Sequence, residues 1–194
     1  MDQKQKPDFD VISVGAGFAG LALIHYLREA GMSIRVFDRA ADIGGTWTWN
    51  RYPGAMTDSE SYYYCLMFSK ELLQEWSWTQ RYPDWKETLS YMHFVADRCD
   101  MWPHIQLNTE IVAADYQKDQ GIWKVTTASG DTFTCKYFVS SMGMISHPVV
   151  PDIKGMESFK GPIFHSARWP DGLEYKGKRV GIIGAGATTV QMVP

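Results

Sequence analysis

The chain has 194 residues, a formal net charge of -3 and 45% hydrophobic residues, which are typical of a folded domain with a sizeable core rather than a disordered or fibrous segment. The absence of Lys or Arg runs argues against a nucleic-acid partner, and three separated cysteines, Cys65, Cys99 and Cys135, fit neither a disulfide framework nor a metal site. A polar amino terminus and the lack of an apolar stretch of about 20 residues predict a cytoplasmic protein without a membrane segment.

The first 38 residues have the pattern of a β-α-β unit. An apolar run from Phe9 to Val14 predicts a buried strand, and the glycine-rich turn 15–20 leads into apolar residues at helical spacing. Gly31 is expected to end this helix. A second buried strand is predicted from Ser33 to Phe37. Units of this kind build parallel sheets, so an α/β fold is expected.

The middle of the chain predicts a long loop, a helix and a β-meander. Residues 43–83 are rich in Gly, Trp, Tyr and Pro and lack clear periodicity, which is typical of a long functional loop. An amphipathic helix is predicted from Trp85 to Asp100. Alternating patterns predict a meander of four short strands, at 105–107, 111–116, 122–127 and 132–134, followed by a separate buried strand at 137–141 and an irregular connector from 143 to 161.

The last residues predict a second strand, turn and helix. A strand is expected from Arg179 to Ile183, a glycine turn follows it, and a helix begins before Pro194. A dinucleotide-binding half needs a complete β-α-β-α-β set. We therefore expect an amino-terminal portion of a longer protein, the alternative being a complete small protein that ends in a strand and a helix.

The first glycine turn has the spacing of a dinucleotide-binding fingerprint. Gly15 permits a tight turn, Gly17 lets the backbone approach a pyrophosphate, and Gly20 allows close packing of helix on strand. The pyrophosphate would lie on free amides at the helix N-terminus. Asp38, at the end of the second strand, is placed to accept hydrogen bonds from a ribose.

A similar but imperfect trio, Gly184, Gly186 and Thr189, follows the last predicted strand. Thr at the third position would keep the helix further from the strand than Gly or Ala, so an ordinary strand-to-helix turn is the alternative. Two dinucleotide sites in one chain indicate a flavin enzyme that is reduced by a nicotinamide. One site alone would fit any dehydrogenase.

Two further motifs indicate a family. Phe159, Gly161, His165 and Trp169-Pro170 match the pattern FxGxxxHxxxW(P/D), the fingerprint of Baeyer–Villiger monooxygenases, which the chain therefore resembles. A second pattern of that family is also present: Gly44-Gly45-Thr46-Trp47, Tyr52-Pro53-Gly54 and Asp58. The segments that resemble its cyclic-ketone branch are Asp58-Ser59-Glu60, Tyr62-Tyr63-Tyr64-Cys65 and Glu75-Trp76-Ser77-Trp78.

The resemblance implies a fold and a reaction. It implies a Rossmann-like FAD-binding domain with a β-meander insertion (1–145), a linker that carries the fingerprint (146–170) and the beginning of a Rossmann-like NADPH-binding domain (171–194). NADPH would reduce FAD, O2 would give a C4a-peroxyflavin, and a ketone would become an ester or lactone. The segment alone is expected to be inactive, because the family's catalytic arginine and most of the NADPH site would lie beyond residue 194.

The resemblance also implies roles for particular residues. Asp58 is the implied catalytic residue, because in the family it lies beside both cofactors and orients the arginine that keeps the peroxyflavin anionic. The implied FAD-binding residues are Gly15, Gly17, Phe18, Ala19, Gly20, Asp38, Arg39, Gly45, Thr46, Trp47, Asp58, Tyr64 and Ile111. The implied NADPH-binding residues are Gly184, Ala185, Gly186, Ala187, Thr188 and Thr189. The fingerprint residues Phe159, Gly161, His165 and Trp169 would link the two domains.

Several alternatives stay open on sequence alone. His165 could move protons, although its role in the family is that of a linker residue. Trp47 and Trp49 could contact a flavin or fill the core. A flavin monooxygenase that oxidises nitrogen or sulfur in amines or sulfides is the main rival, although Trp169-Pro170 argues against it. The second rival hypothesis is a truncated FAD-binding module without catalytic activity. A disulfide reductase would need a close cysteine pair, which the sequence lacks.

Overall fold

The structure is a computed structural model that describes residues 6–194. The polar residues at the start of the first predicted domain therefore lie outside the described part. One mixed sheet of six strands has the order β3-β2-β1-β6-β5-β4. The strands are β1 Phe9–Val14, β2 Ile34–Phe37, β3 Ile105–Gln106, β4 Ile111–Gln117, β5 Ile122–Thr127 and β6 Thr132–Ser140. The helices are α1 Phe18–Glu29, α2 Thr46–Trp49, α3 Lys70–Glu75, α4 Trp85–Arg98 and α5 Ala187–Met192.

The predicted β-α-β unit is confirmed. β1 has the predicted bounds, and it pairs in parallel with β2 on one side and with β6 on the other. Gly31 ends α1 as expected, in a left-handed conformation with φ of 71°. Its N–H donates to the Arg28 carbonyl at 2.9 Å, and the Met32 N–H donates to the Leu27 carbonyl at 2.9 Å. These two bonds satisfy carbonyls that the helix end would otherwise leave free.

The predicted meander was wrong in two places. β3 belongs to the opposite edge of the sheet, where it pairs in parallel with β2, so only three strands form the meander. The strands predicted at 132–134 and 137–141 are the single strand β6. The beginning of β6 pairs antiparallel with β5, and its later part pairs in parallel with β1. The meander therefore extends the parallel sheet instead of forming a separate insertion.

The segment 43–83 is more ordered than the prediction of a loop. It contains α2, α3 and a 3-10 helix at Ser61–Tyr64. Its Trp76 and Trp78 pack on Tyr91, with ring centroids 5.4 and 4.9 Å apart. Such short helices are stabilised by packing rather than by propensity, so periodicity does not reveal them.

Helix α4, which this segment covers, is confirmed to within two residues of the predicted end. Asp84 caps it by accepting the Glu87 N–H at 2.8 Å. The side of α4 that faces the core carries Thr88, Tyr91, Met92, Val95 and Ala96, all buried.

The strand predicted from Arg179 to Ile183 is wrong. These residues form no ladder, and every residue from 174 to 187 is exposed. A strand needs a neighbour to accept and donate its backbone hydrogen bonds, and none of residues 6–194 provides one here. The helix predicted after the second glycine turn is present as α5. None of the helices in the described part has the length and hydropathy needed to cross a bilayer.

Gly20 fixes how closely α1 approaches the sheet, and its substitution should destabilise the fold. A Cβ there would overlap the Gly15 carbonyl oxygen and lie 3.4 Å from a Val36 methyl group. We expect Gly20→Ala to lower the free energy of unfolding by about 2 kcal/mol or more through overpacking, as measured by urea denaturation. Gly181→Ala is the matched control, since a Cβ there meets nothing within 4 Å. Equal stability of the two variants would contradict the packing.

Tyr91 should make the free energy of unfolding depend on pH above about pH 10, which is the ordinary pKa of a tyrosine. Burial raises the pKa of Tyr91 from 10.0 to about 12. The unfolded chain would release this proton first, so the stabilisation is complete below pH 10 and is lost as the pH rises towards 12. Between pH 9 and 11 we expect the free energy of unfolding of the wild type to fall by about 1 kcal/mol more than that of Tyr91→Phe.

Urea denaturation across this pH range measures the difference. Tyr116→Phe serves as the control, because Tyr116 is 50% exposed. Parallel pH profiles for the wild type and Tyr91→Phe would contradict the expectation.

Candidate functional site

A cleft of about 820 Å³ opens at the carboxyl ends of the parallel strands. Val14 at the end of β1, Asp38 just after β2 and Ser140 at the end of β6 all line it. Loops that leave neighbouring parallel strands diverge at this edge, which is where α/β sheets bind ligands. The order and direction of the strands therefore account for the position of the cleft.

The first glycine turn forms the floor of the cleft. Gly15 has φ of 110° and donates its N–H to the Phe37 carbonyl at 2.8 Å, which joins the turn to β2. A Cβ at Gly15 would overlap the Ser141 carbonyl. The tight turn predicted for Gly15 and the close approach predicted for Gly20 are both confirmed.

Backbone donors at the start of α1 are free to meet an anion. Among residues 6–194, no protein group accepts the N–H of Gly17, Phe18 or Ala19. Gly17 and Gly45 face each other, and a Cβ at Gly45 would lie 3.2 Å from the Gly17 Cα. All four residues line the cleft. These free amides lie at the positive end of a twelve-residue helix, next to the close approach of Gly17 and Gly45. Such an arrangement suits a diphosphate.

Asp38 has a structural role in addition to the predicted one. Its Oδ2 accepts the Ala16 N–H at 2.7 Å and its Oδ1 accepts the Ala40 N–H at 2.9 Å. The carboxylate therefore holds the glycine turn to the segment after β2. Each carboxylate oxygen can accept a second hydrogen bond, and Asp38 lines the cleft, so a ribose hydroxyl remains a compatible partner.

Aromatic side chains form one wall. Trp47 is 7% exposed and its ring lies edge-on to Tyr64, with centroids 5.6 Å apart. Tyr64 in turn contacts the edge of Phe18 at 5.6 Å. Trp47 thus both fills the core and lines the cleft, so the two alternatives are not exclusive. Burial, with a smaller contribution from the negative charge of Asp58, raises the pKa of Tyr64, so its hydroxyl stays protonated near neutral pH.

At the outer rim of the cleft, two arginine side chains pack on the ring of one tryptophan. The guanidinium carbon of Arg168 lies 4.4 Å from the centroid of the Trp49 ring and that of Arg39 lies 5.6 Å from it. Arg39 also pairs with Glu110 at 3.7 Å and donates to the Ser146 carbonyl at 3.1 Å. Trp49, which the sequence left undecided, therefore lies on the rim of the cleft.

The fingerprint reaches the cleft through residues that the motif does not specify. Ala167 and Arg168 line the cleft. His165 Nδ1 instead accepts the Ala167 N–H at 3.1 Å, which starts the 3-10 helix Ser166–Arg168. Trp169 packs edge-on against neighbouring aromatic rings of its own segment. The arrangement favours the linker role of His165 over proton transfer.

The remaining fingerprint residues and the second glycine turn lie away from the cleft. Phe159 is 63% exposed, and Gly161 is exposed. The residues of the second turn that the structure does not bring to the cleft are Gly184, Ala185, Gly186, Ala187, Thr188 and Thr189. Thr189 Oγ1 donates to the Gly184 carbonyl at 3.1 Å, so the unusual Thr closes its own turn.

Asp58 is also outside the lining of the cleft. It is exposed, and its Oδ1 accepts a hydrogen bond from Gln191 Nε2 at 2.7 Å. The charge of Asp58 nevertheless acts on Tyr64. Asp58 therefore lies next to α5 and outside the lining of the cleft.

Sequence reasoning missed much of the lining. The predicted residues that do line the cleft are Gly15, Gly17, Phe18, Ala19, Asp38, Arg39, Gly45, Thr46, Trp47, Tyr64 and Ile111. The missed residues include Asn50, Thr109, Glu110, Ser141, Met142, Ile145, Ser146, His147, Ala167 and Arg168. Most of them follow β3 and β6, and the rule that ligands bind at carboxyl ends of strands would have pointed to them. Gly20 packs beneath the turn.

Comparison with known proteins identifies the family. The chain belongs to the flavin-binding monooxygenase-like family, whose sequence profile matches residues 9–193. It is 48% identical over 187 residues to a Baeyer-Villiger monooxygenase of Pseudooceanicola batsensis, covering 96% of this chain and 34% of that protein. It is 44% identical over 194 residues to phenazine N-monooxygenase PhzNO1 of Lysobacter antibioticus, covering 100% of this chain and 36% of that protein.

Solved structures agree with the fold. A crystal structure of OTEMO in complex with FAD and NADP matches with a TM-score of 0.91 at 40% identity, covering 98% of this chain and 37% of that one. The predicted resemblance to Baeyer–Villiger monooxygenases and the Rossmann-like α/β fold class are confirmed. The chain spans about a third of the length of the relatives that it matches.

The contact between Arg168 and Trp49 should hold residues 160–170 on the rim of the cleft. A cation–π contact at an exposed site contributes about 0.5–1 kcal/mol. We expect Arg168→Ala to speed hydrogen exchange of residues 160–170 about threefold, as measured by mass spectrometry. Arg179→Ala removes the same charge from an exposed position and is the control. Equal exchange in both variants would contradict the role of the contact.

Proposed function

We propose that this cleft binds FAD, with the diphosphate on the amides of Gly17, Phe18 and Ala19. The single observation that carries the proposal is that these donors have no acceptor among residues 6–194 and open between Gly17 and Gly45 into a cleft of about 820 Å³. A diphosphate would supply acceptors for these donors, and the bare backbone at Gly17 and Gly45 leaves room for it.

The rest of the cleft fits the other parts of FAD. Asp38, with spare acceptor capacity, would receive the ribose hydroxyls, and the Trp49 rim with Arg39 would flank the adenosine half. Trp47, Tyr64 and the strand start at Ile111 would line the flavin. A structure of OTEMO in complex with FAD and NADP, which this chain matches at 40% identity, supports FAD as the ligand of the cleft. When bound, FAD supplies the redox chemistry by taking up a hydride from a nicotinamide and activating O2.

For the whole protein we propose Baeyer–Villiger oxygenation of a ketone. A ketone, O2, NADPH and a proton would give an ester or lactone, water and NADP+. Support comes from the fingerprint at 159–170 and from the 48% identity to a Baeyer-Villiger monooxygenase. The residues of this chain would bind and orient the cofactor, and the aromatic wall of Trp47 and Tyr64 would keep water from it. Asp58, whose charge acts on Tyr64, is proposed to act at the junction with the nicotinamide.

We also propose the predicted division into an FAD-binding part (1–145), a linker (146–170) and the start of an NADPH-binding part (171–194). The exposure of residues 174–187 is compatible with a surface that further sequence would cover. A cytoplasmic location is supported by three free thiols, which a reducing compartment maintains.

Oxidation of a ring nitrogen is the second candidate, because PhzNO1 is a phenazine N-monooxygenase at 44% identity. A substrate screen with the full-length protein separates the two. Cyclohexanone and phenazine are supplied in parallel with NADPH and O2, and products are identified by mass spectrometry. Lactone supports the proposal, and phenazine N-oxide without lactone would contradict it.

Gly17 offers a substitution that tests FAD binding without disturbing the fold. A Cβ at Gly17 would lie 3.7 Å from the nearest atom, Gly45 Cα, and its φ of -85° suits Ala. We expect Gly17→Ala to weaken FAD binding at least tenfold, about 1.4 kcal/mol, while the urea midpoint changes little. FAD titration followed by flavin fluorescence measures the affinity.

Gly181→Ala is the control for the titration, since a Cβ there meets nothing within 4 Å and Gly181 does not line the cleft. FAD binding that is equal in Gly17→Ala and wild type would contradict the assigned diphosphate position. No FAD binding by the wild-type chain would contradict the proposed function itself.

A further inference from the structure

Gln191, a residue of α5, uses its whole side-chain amide to bridge two parts of the chain. Its Oε1 accepts the Tyr52 hydroxyl at 2.8 Å and the Met56 N–H at 3.4 Å. Its Nε2 donates to the Met56 carbonyl at 3.0 Å and to Asp58 Oδ1 at 2.7 Å. A glutamine amide has two donors and two acceptor sites, so every one of them is used.

The backbone at the same place is shaped for this contact. Gly54 has φ of 78°, and a Cβ there would overlap the Gln191 carbonyl. Only glycine therefore lets the last turn of α5 lie against the loop 52–58. The third residue of the Tyr52-Pro53-Gly54 motif thus has a packing reason.

Few other contacts with residues 6–194 hold α5 in place. It has six residues, and none of its side chains is buried. Hydrophobic burial therefore contributes little to its position. The polar contacts of Gln191 and the close approach at Gly54 are what hold the helix of the second glycine turn on the loop 52–58.

The loop that Gln191 holds carries Asp58. The charge of this carboxylate raises the pKa of Tyr64 in addition to the effect of burial, and Tyr64 lines the cleft. Contacts therefore lead from α5 through Gln191 to Asp58, whose charge acts on Tyr64 in the aromatic wall. Glutamine is required at this position, because a glutamate would place a second negative charge against Asp58 and leave the Met56 carbonyl without its donor.

We infer that Gln191 is a positioning residue that docks the second glycine turn on the loop 52–58 and fixes the direction of the Asp58 carboxylate. Its relevance to oxygenation rests on the proposed function, whereas the docking itself does not. Gln191 contributes no atom to the lining of the cleft. Its effect on a bound flavin would therefore be exerted through Asp58.

Hydrogen exchange without ligand tests the docking in this chain. We expect Gln191→Glu to speed exchange of the segments 52–58 and 187–192 about tenfold, because two hydrogen bonds are lost and two carboxylates face each other. Asp58→Asn alone keeps an acceptor for Gln191 and should change exchange less than twofold. Gln120→Glu adds the same charge in an exposed turn and should leave both segments unchanged.

The double variant Gln191→Glu with Asp58→Asn distinguishes pairing from general destabilisation. The amide introduced at position 58 can donate to the carboxylate introduced at position 191, so exchange should return to within about threefold of wild type. A residue with a merely structural role would not be rescued by a change in its partner. Wild-type exchange in Gln191→Glu, or a double variant as fast as Gln191→Glu, would overturn the inference.

FAD titration of the same variants separates this inference from the proposed function. Gln191→Glu should bind FAD within about twofold of wild type, since the residue lies outside the cleft lining. A tenfold loss would overturn the assigned indirect role. Absence of FAD binding in the wild-type chain would refute the proposed function, while the exchange result would still decide the docking.

Discussion

The close approach of backbone to backbone at the first glycine turn is the constraint on which the rest of the site depends. Gly20 lies on the carbonyl of Gly15, and Gly15 in turn lies on that of Ser141. A side chain at either glycine would push α1 from the sheet or β1 from the chain after β6. Because neither position carries a side chain, the N-terminus of α1 and its free amides are held at the edge where the four parallel strands end.

The other parts of the molecule close around this turn. The ordered segment 43–83 brings Gly45 and Trp47 to the cleft, and α4 supports that segment from behind through Tyr91. The fingerprint segment 159–170 adds Ala167 and Arg168, and Arg168 packs on Trp49. The sheet, the segment 43–83 and the fingerprint segment thus contribute to one cleft, although they are far apart in sequence.

The sequence predicted those elements whose signal is local. β1, α1 and α4 follow from apolar periodicity and from the glycine that ends α1. Gly15 makes the tight turn, and Gly20 the close packing, that their spacing predicted. β6 appeared as two strands because its neighbours change from β5 to β1 along its length, which is a tertiary property. The strand at 179–183 is missing because a strand pattern cannot provide a pairing partner.

The sequence motifs predicted only part of the candidate site. The fingerprint spacing points to His165 and Trp169, yet the cleft receives Ala167 and Arg168, which lie between them. Gln191 carries no motif signal at all, since its importance comes from four hydrogen bonds to a loop more than 130 residues away. Contacts of this kind depend on the packing of distant segments, which one sequence does not reveal.

Binding of a diphosphate at the first glycine turn is best tested by observing the amides of that turn while FAD is added. Proton–nitrogen correlation spectra of the chain, titrated with FAD, would report each backbone N–H separately. We expect the largest shifts, together with slower hydrogen exchange, at Gly17, Phe18 and Ala19. Shifts concentrated at residues 184–189, with the amides of the first turn unchanged, would contradict it.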